Sequence, residues 1–133
     1  MPAGYSGTPL VRKLGYKPGQ VAWFDGMPDS VRAEIGDSGG FSALKNGSGA
    51  DAAHVFVTER ADLEAKLAAL RHAIARDGFV WVSWPKKASK VSTDITEDTI
   101  REVALPMGWV DVKVCAVDDV WSGLKLVIRK ELR

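Results

Sequence analysis

The feature that most constrains this chain is an ordered change of hydrophobic period between residues 51 and 130. Ala53-His54-Val55-Phe56-Val57 is a compact apolar run of strand type. Leu63, Leu67, Leu70 and Ile74 then recur at helical spacing and mark one helix face, with Thr58 placed to cap that helix and Asp77-Gly78 to end it. Phe79-Val80-Trp81-Val82-Ser83-Trp84 is the strongest strand signal. Its apolar residues do not alternate, which predicts that both faces are covered, as in a parallel sheet flanked by helices. Asp94 and Glu97 have capping-box spacing, Thr96 is a competing cap, and the helix they open is expected to stop at Ala104 or Leu105 ahead of Pro106. Residues 109–117 and 124–130 then alternate with a period of two. Val110, Val112, Val114 and Ala116 are expected on one face of the first. In the second, Leu124, Leu126 and Ile128 oppose Lys125, Val127 and Arg129. These two read as an antiparallel pair at a sheet edge.

The first third is less regular. Thr8-Pro9 reads as an N-cap followed by proline at the first helical position, with Leu10, Val11 and Leu14 as the apolar face and Gly15 as the stop. Residues 20–24 form a short strand broken by Asp25-Gly26-Met27-Pro28, and a short helix follows over 29–35. Residues 36–50 are rich in glycine and serine and read as a mobile segment with room for one short strand at 41–44. Strands alternating with helices predict a mostly parallel sheet of five or six strands. The strand over 79–84 belongs in its interior.

A length of 133 residues suits one α/β domain over 1–133. With 46% hydrophobic and 26% charged residues, the chain can fill a core without a covalent staple. Cys115 is the only cysteine, which excludes an intrachain disulfide and fits a reducing compartment. The opening residues lack the basic start and apolar stretch of a leader. No apolar run approaches the ~20 residues of a membrane span. A cytoplasmic location and no membrane partner are therefore expected. The net charge of +1 gives no argument for a polyanionic partner, so nucleic acid is not the expected one. Basic residues do cluster along the chain, at Arg12, Lys13 and Lys17, at Lys86, Lys87 and Lys90, and at Lys125, Arg129, Lys130 and Arg133. Each cluster reads first as solvated surface.

Two blocks carry a resemblance. One is Ala3-Gly4-Tyr5-Ser6-Gly7-Thr8-Pro9-Leu10-Val11-Arg12-Lys13-Leu14-Gly15. The other opens with Trp81-Val82-Ser83-Trp84-Pro85-Lys86-Lys87 and Thr93-Asp94-Ile95-Thr96-Glu97, and leads on through Arg101-Glu102-Val103-Ala104-Leu105-Pro106 to Trp121-Ser122-Gly123-Leu124-Lys125. Together they resemble the bacterial family named domain of unknown function 3052, over nearly the whole chain except 25–50. The name implies no activity. A looser similarity is to class I methyltransferases, which bind S-adenosylmethionine on a Rossmann-like sheet. It rests on the order of an aspartate-led strand, a leucine-striped helix, an Asp-Gly turn, a strand ending in Trp-Pro-Lys, a helix and a final hairpin. That resemblance implies a Rossmann-like three-layer sandwich with a C-terminal antiparallel hairpin. It also implies a glycine-rich cofactor turn after the first strand, where this chain has Asp25-Gly26-Met27-Pro28, and an acidic residue after the second, where Lys45 follows Leu44. Both departures point to a scaffold kept and a cofactor site lost, so no cofactor is expected, and fold alone does not license function.

The best candidate site is Trp84-Pro85-Lys86-Lys87-Ala88-Ser89-Lys90, a loop leaving the carboxyl end of a central strand, where open α/β sheets bind ligands. Lys86, Lys87, Lys90 and Ser89 there suit an anion. Thr8, at the start of the first helix, is expected on the same rim as Lys86, and Trp121 in the hairpin connection is a stacking candidate. His54 and His72 have no metal-ligand spacing, so no metal site is expected. Cys115 reads as an inert thiol, and no Gly-x-Ser-x-Gly elbow occurs. These residues point to a non-catalytic or degenerate methyltransferase-like domain that binds a small anionic ligand or a protein partner. The alternatives are an active S-adenosylmethionine-dependent enzyme with an atypical cofactor loop, and a nucleic-acid-associated module. The strand over 124–130, taken as the sheet edge, offers a pairing surface for a second copy.

Overall fold

The apolar runs without alternation become strands buried on both sides, and the rest of the chain arranges itself to cover them. The structure is a computed structural model and describes residues 9–17, 19–35, 42–43 and 49–133. In chain order its elements are α1 (Leu10–Lys13), β1 (Val21–Asp25), α2 (Asp29–Ile35), β2 (Ser42–Ala43), β3 (Ala52–Phe56), α3 (Arg60–Ala73), β4 (Phe79–Pro85), α4 (Glu97–Met107), β5 (Trp109–Ala116) and β6 (Trp121–Ile128). They build one mixed sheet in the order β2-β1-β3-β4-β6-β5. β2, β1, β3 and β4 are mutually parallel, and β6 lies antiparallel between β4 and β5.

Every residue of β3 and β4 is buried. One apolar cluster joins Val55, Val80, Val82, Trp84, Leu124, Leu126 and Ile128 to Leu63, Leu67 and Leu70 of α3 and to Ile100, Val103 and Ala104 of α4. The other joins Ala52, Phe56, Phe79 and Trp81 to Leu10 and Leu14 at α1 and to Val31 and Ile35 of α2. Helices therefore cover the sheet from both sides. Each fully buried leucine contributes about 2 kcal/mol, so the leucine face holds α3 in place although its own N-cap residue, Glu59, makes no side-chain cap.

Several expectations change. Pro9 occupies the N-cap of α1 rather than its first helical position. Thr58 does not cap α3. The carboxylate of Asp94 accepts from the Arg60 amide at 2.7 Å, so the cap reaches α3 from the loop after β4, and Asp94 is not the cap of its own helix. Thr96 takes that role, in a reciprocal box with Thr99. α4 runs through Pro106 to Met107 and ends on Gly108 at φ 101°. Proline is tolerated in the last turn because it removes one backbone donor without stopping a helix that ends two residues later.

The valines of β5 do not share one face. The register jumps between Asp111 and Lys113, so Val112 is the extra residue of a bulge. Val110 pairs with Val127 and Val114 with Leu124, residues on opposite faces of β6. The alternation in β6 is as expected. Its position is not, because β6 is interior and β5 is the edge, carrying exposed Val112 and Val114. The readings for residues 36–41 and 44–48 lie outside the described residues. Among the described residues no helix is long and apolar enough to cross a membrane.

The turn between α3 and β4 admits no side chain at Gly78. A Cβ there would lie 2.5 Å from the Asp51 carbonyl oxygen and 3.0 Å from that of Ala75. The Asp51 carbonyl is fixed by the Phe79 amide at 3.0 Å. Gly78→Ala is therefore expected to lower the unfolding free energy by about 2 kcal/mol, read by urea denaturation against the wild type.

Candidate functional site

β4 ends at Pro85, and the chain then folds back on itself. The Lys86 amide donates to the Val120 carbonyl at 2.7 Å, and its ammonium donates to the Asp118 carbonyl at 2.6 Å. Ser89 donates its hydroxyl to the Lys86 carbonyl and accepts from the Val91 amide, closing a short 3-10 turn over Lys87–Ser89. Thr93 donates to the Thr58 carbonyl at 2.6 Å and accepts from Ile95. With Asp94 on the Arg60 amide, these bonds tie the loop to the β3–α3 junction.

The loop so held forms one wall of a cleft of about 560 Å³, lined by Trp84, Pro85, Lys87, Lys90, Thr93, Thr96 and Glu97 among others. Of the candidate residues from the sequence, Lys87, Lys90 and Trp84 line this cleft. Lys86 and Ser89 are committed to backbone carbonyls outside the lining. Trp121 pairs with Pro85 and packs edge-on against Phe56 at 5.1 Å, in the cluster on the opposite side of the sheet from Trp84. Thr8, and with it the expected convergence on Lys86, lies outside the described residues. The cleft offers two ammonium groups and the Ser92 hydroxyl, with Glu97 opposing the lysines. The Thr93 hydroxyl is committed to the Thr58 carbonyl and Thr96 is engaged in its capping box, so it is the two ammoniums that suit an anion.

The sequence reading missed a polar chain inside the other cluster. The Tyr16 hydroxyl lies 2.8 Å from His54 Nδ1, and His54 Nε2 lies 2.6 Å from Ser83 Oγ. All three residues are buried. Both ring nitrogens are satisfied in either tautomer, which removes most of the cost of burying the imidazole. The available signal was a histidine and a serine interrupting two otherwise apolar strands that turn out to be neighbours. Burial pushes His54 down to about 3. It also raises the Tyr16 phenol, with Cys115 adding to the effect. Cys115 itself is half-buried, and burial raises its thiol against the opposing charges of Lys13 and Lys113. Among the described residues, no group of His, Cys, Asp and Glu is arranged to hold a metal ion.

The turn after β1 is closed. Gly26 has φ 73°, and a Cβ there would lie 3.2 Å from the Phe56 carbonyl oxygen. The preceding Asp25 carboxylate is held by Lys66 at 3.0 Å. A cofactor turn of the glycine-rich type needs several glycines for backbone to approach the ligand, whereas here Gly26 is packed on β3 and its neighbours are Asp25, Met27 and Pro28. The described residues of this turn do not fit a nucleotide-like cofactor.

The fold is that of S-adenosylmethionine-dependent methyltransferases. The chain aligns with Aeropyrum pernix fibrillarin, solved with natively bound S-adenosyl-L-methionine, at TM-score 0.58 and 12% identity, covering 90% of this chain and 69% of that one. It aligns with a TehB-like SAM-dependent methyltransferase from Corynebacterium glutamicum at TM-score 0.56 and 9% identity, covering 96% and 91%. For magnesium protoporphyrin IX methyltransferase from Synechocystis the values are 0.57, 10%, 91% and 74%. Identities this low establish the fold alone. Within that fold, residues 11–130 match the model of the family described as Protein of unknown function (DUF3052), and the chain belongs to that family. The comparison with curated proteins gave no match.

The buried histidine makes stability depend on pH. An unfolded histidine titrates near ~6.5, and His54 in the fold near about 3, so below ~6.5 the unfolded chain binds a proton that the fold refuses. Stability from this source is complete above ~6.5 and falls by up to about 1.4 kcal/mol per pH unit below it. Urea unfolding at pH 7 and pH 5 should differ by about 2 kcal/mol from this residue. The difference should shrink in His54→Gln.

Proposed function

We propose that this chain is a non-catalytic methyltransferase-like domain that binds a small anionic ligand at the carboxyl end of β4. In this reading the chain is a Rossmann-like three-layer sandwich closed by a C-terminal antiparallel hairpin, and the ligand edge of the sheet is kept while the cofactor turn is not. The observation that carries it is the cleft itself, where Lys87 and Lys90 join Trp84, Thr93 and Thr96 at the edge where open α/β sheets bind ligands. The closed Gly26 turn supports a binding role over transfer of a methyl group from S-adenosylmethionine. The loop is held from both sides by Lys86, Thr93 and Asp94, so the site exists before a ligand arrives and little ordering accompanies binding.

Two titrations test this reading. Calorimetry with S-adenosylmethionine should give no binding at low-micromolar concentrations, a limit of about 8 kcal/mol. Binding tighter than that would restore the cofactor site and overturn the proposal. Pyrophosphate, followed by amide chemical shifts, should move residues 87–96 in the wild type and fail to do so in Lys87→Ala/Lys90→Ala. The double variant should unfold within about 0.5 kcal/mol of wild type, since exposed lysines contribute little to folding.

A further inference from the structure

Three of the partly buried cations are ion-paired. Arg60 meets Glu64 and Glu102, Lys66 meets Asp25 and Asp62, and Arg101 meets Glu97, Asp98 and Asp111. Among the described residues, others reach only backbone carbonyls, as Arg71 and Lys86 do, and one group of lysines without a carboxylate partner is assembled only by the fold. Lys13 and Lys17 come from the N-terminal segment, Lys113 from β5 and Lys125 from β6. Lys113 and Lys125 are direct cross-strand partners, so two like charges face each other on adjacent strands, an arrangement that destabilises a sheet. The Lys113 ammonium donates to the Lys13 carbonyl at 3.1 Å, and the Lys13 ammonium reaches the Ala116 carbonyl at 3.5 Å. Lys125 is half-buried, with its ammonium 4.4 Å above the Phe79 ring and close to Gly15. Burial, then Lys113 and Lys17, push its pKa down. Among the described residues none of the four lysines makes an ion pair, and no carboxylate offsets the downward shift of Lys125.

Backbone carbonyls orient these ammoniums but carry no full negative charge, and α1 is too short to add a large dipole. The cross-strand pair of Lys113 and Lys125, the bond from Lys113 to the Lys13 carbonyl and the influence of Lys17 on Lys125 bring the four residues to one part of the surface. We propose that Lys13, Lys17, Lys113 and Lys125 form a binding site for a compact polyvalent anion of the oligophosphate class, separate from the cleft after β4. The anion supplies the counter-charge that the chain omits, and a cluster of ammoniums around one point matches several phosphate oxygens around another.

The test uses inorganic tripolyphosphate and the whole chain. Titration at low salt should shift the amides of Gly15, Lys113 and Lys125 and raise the melting temperature. Lys113→Met/Lys125→Met removes two charges, keeps an unbranched side chain over Phe79 at position 125 and should weaken binding by about tenfold or more. Lys87→Ala/Lys90→Ala should leave these shifts intact. Lys113→Glu places a carboxylate opposite Lys125, so it should raise the melting temperature of the free protein and abolish the response to tripolyphosphate. Shifts confined to residues 87–96 would overturn this proposal and leave the cleft reading standing. A duplex or single-stranded oligonucleotide binding more tightly than tripolyphosphate at equal salt would overturn it in favour of a nucleic-acid surface.

Discussion

Every residue of β3 and β4 is buried, and that burial governs the architecture. A sheet whose central strands are apolar on both faces has to be covered twice. The chain does this by sending α3 and α4 to one side and α1 and α2 to the other. The antiparallel insertion of β6 extends the same apolar surface, because Leu124, Leu126 and Ile128 continue the layer begun by Val80, Val82 and Trp84. The edges are then left to β2, with two residues, and to β5, whose bulge and Lys113 discourage pairing with another strand.

Polar groups inside this core are few, and among the described residues the buried Trp109 indole N–H has no partner while the others are engaged. Trp81 donates its indole N–H to the Leu14 carbonyl at 2.7 Å, and Tyr16 reaches His54 and through it Ser83. These bonds fasten the short α1 segment to the centre of the sheet, which four helical residues alone would not secure. The same segment carries Lys13 and Lys17. Its docking on the sheet therefore also brings them to Lys113 and Lys125, and core packing on one face sets the charge distribution at the surface above it.

At the carboxyl edge of the strands, two loops differ in what they leave open. The turn after β1 is packed against β3, with Asp25 committed to Lys66. The loop after β4 is propped away from the sheet by Lys86, Thr93 and Asp94, which leaves a cleft behind it. A packed turn and an open cleft thus stand side by side on a fold shared with methyltransferases.

The order of elements, the leucine face of α3 and the two-sided burial of β4 were legible in the sequence because hydrophobic period is a local property that tertiary packing here reinforces. Lys87 and Lys90 beside Trp84 were legible for the same reason, since one short loop carries all three. What the sequence did not determine depends on neighbours far apart along the chain. Asp94 capping α3 and Lys86 bound to the Asp118 carbonyl are cross-loop contacts. Val112 becomes a bulge only when β5 and β6 take up register, and the single extra residue sends Val110 and Val114 to opposite faces. His54 and Ser83 meet because β3 and β4 are adjacent and parallel. The four lysines form one cluster because α1 docks beside β5 and β6. Local pattern determined which segments fold and which faces are apolar. Strand order and register decided which distant polar and charged groups share a place, because only the packed sheet brings their separate stretches of chain within reach of one another.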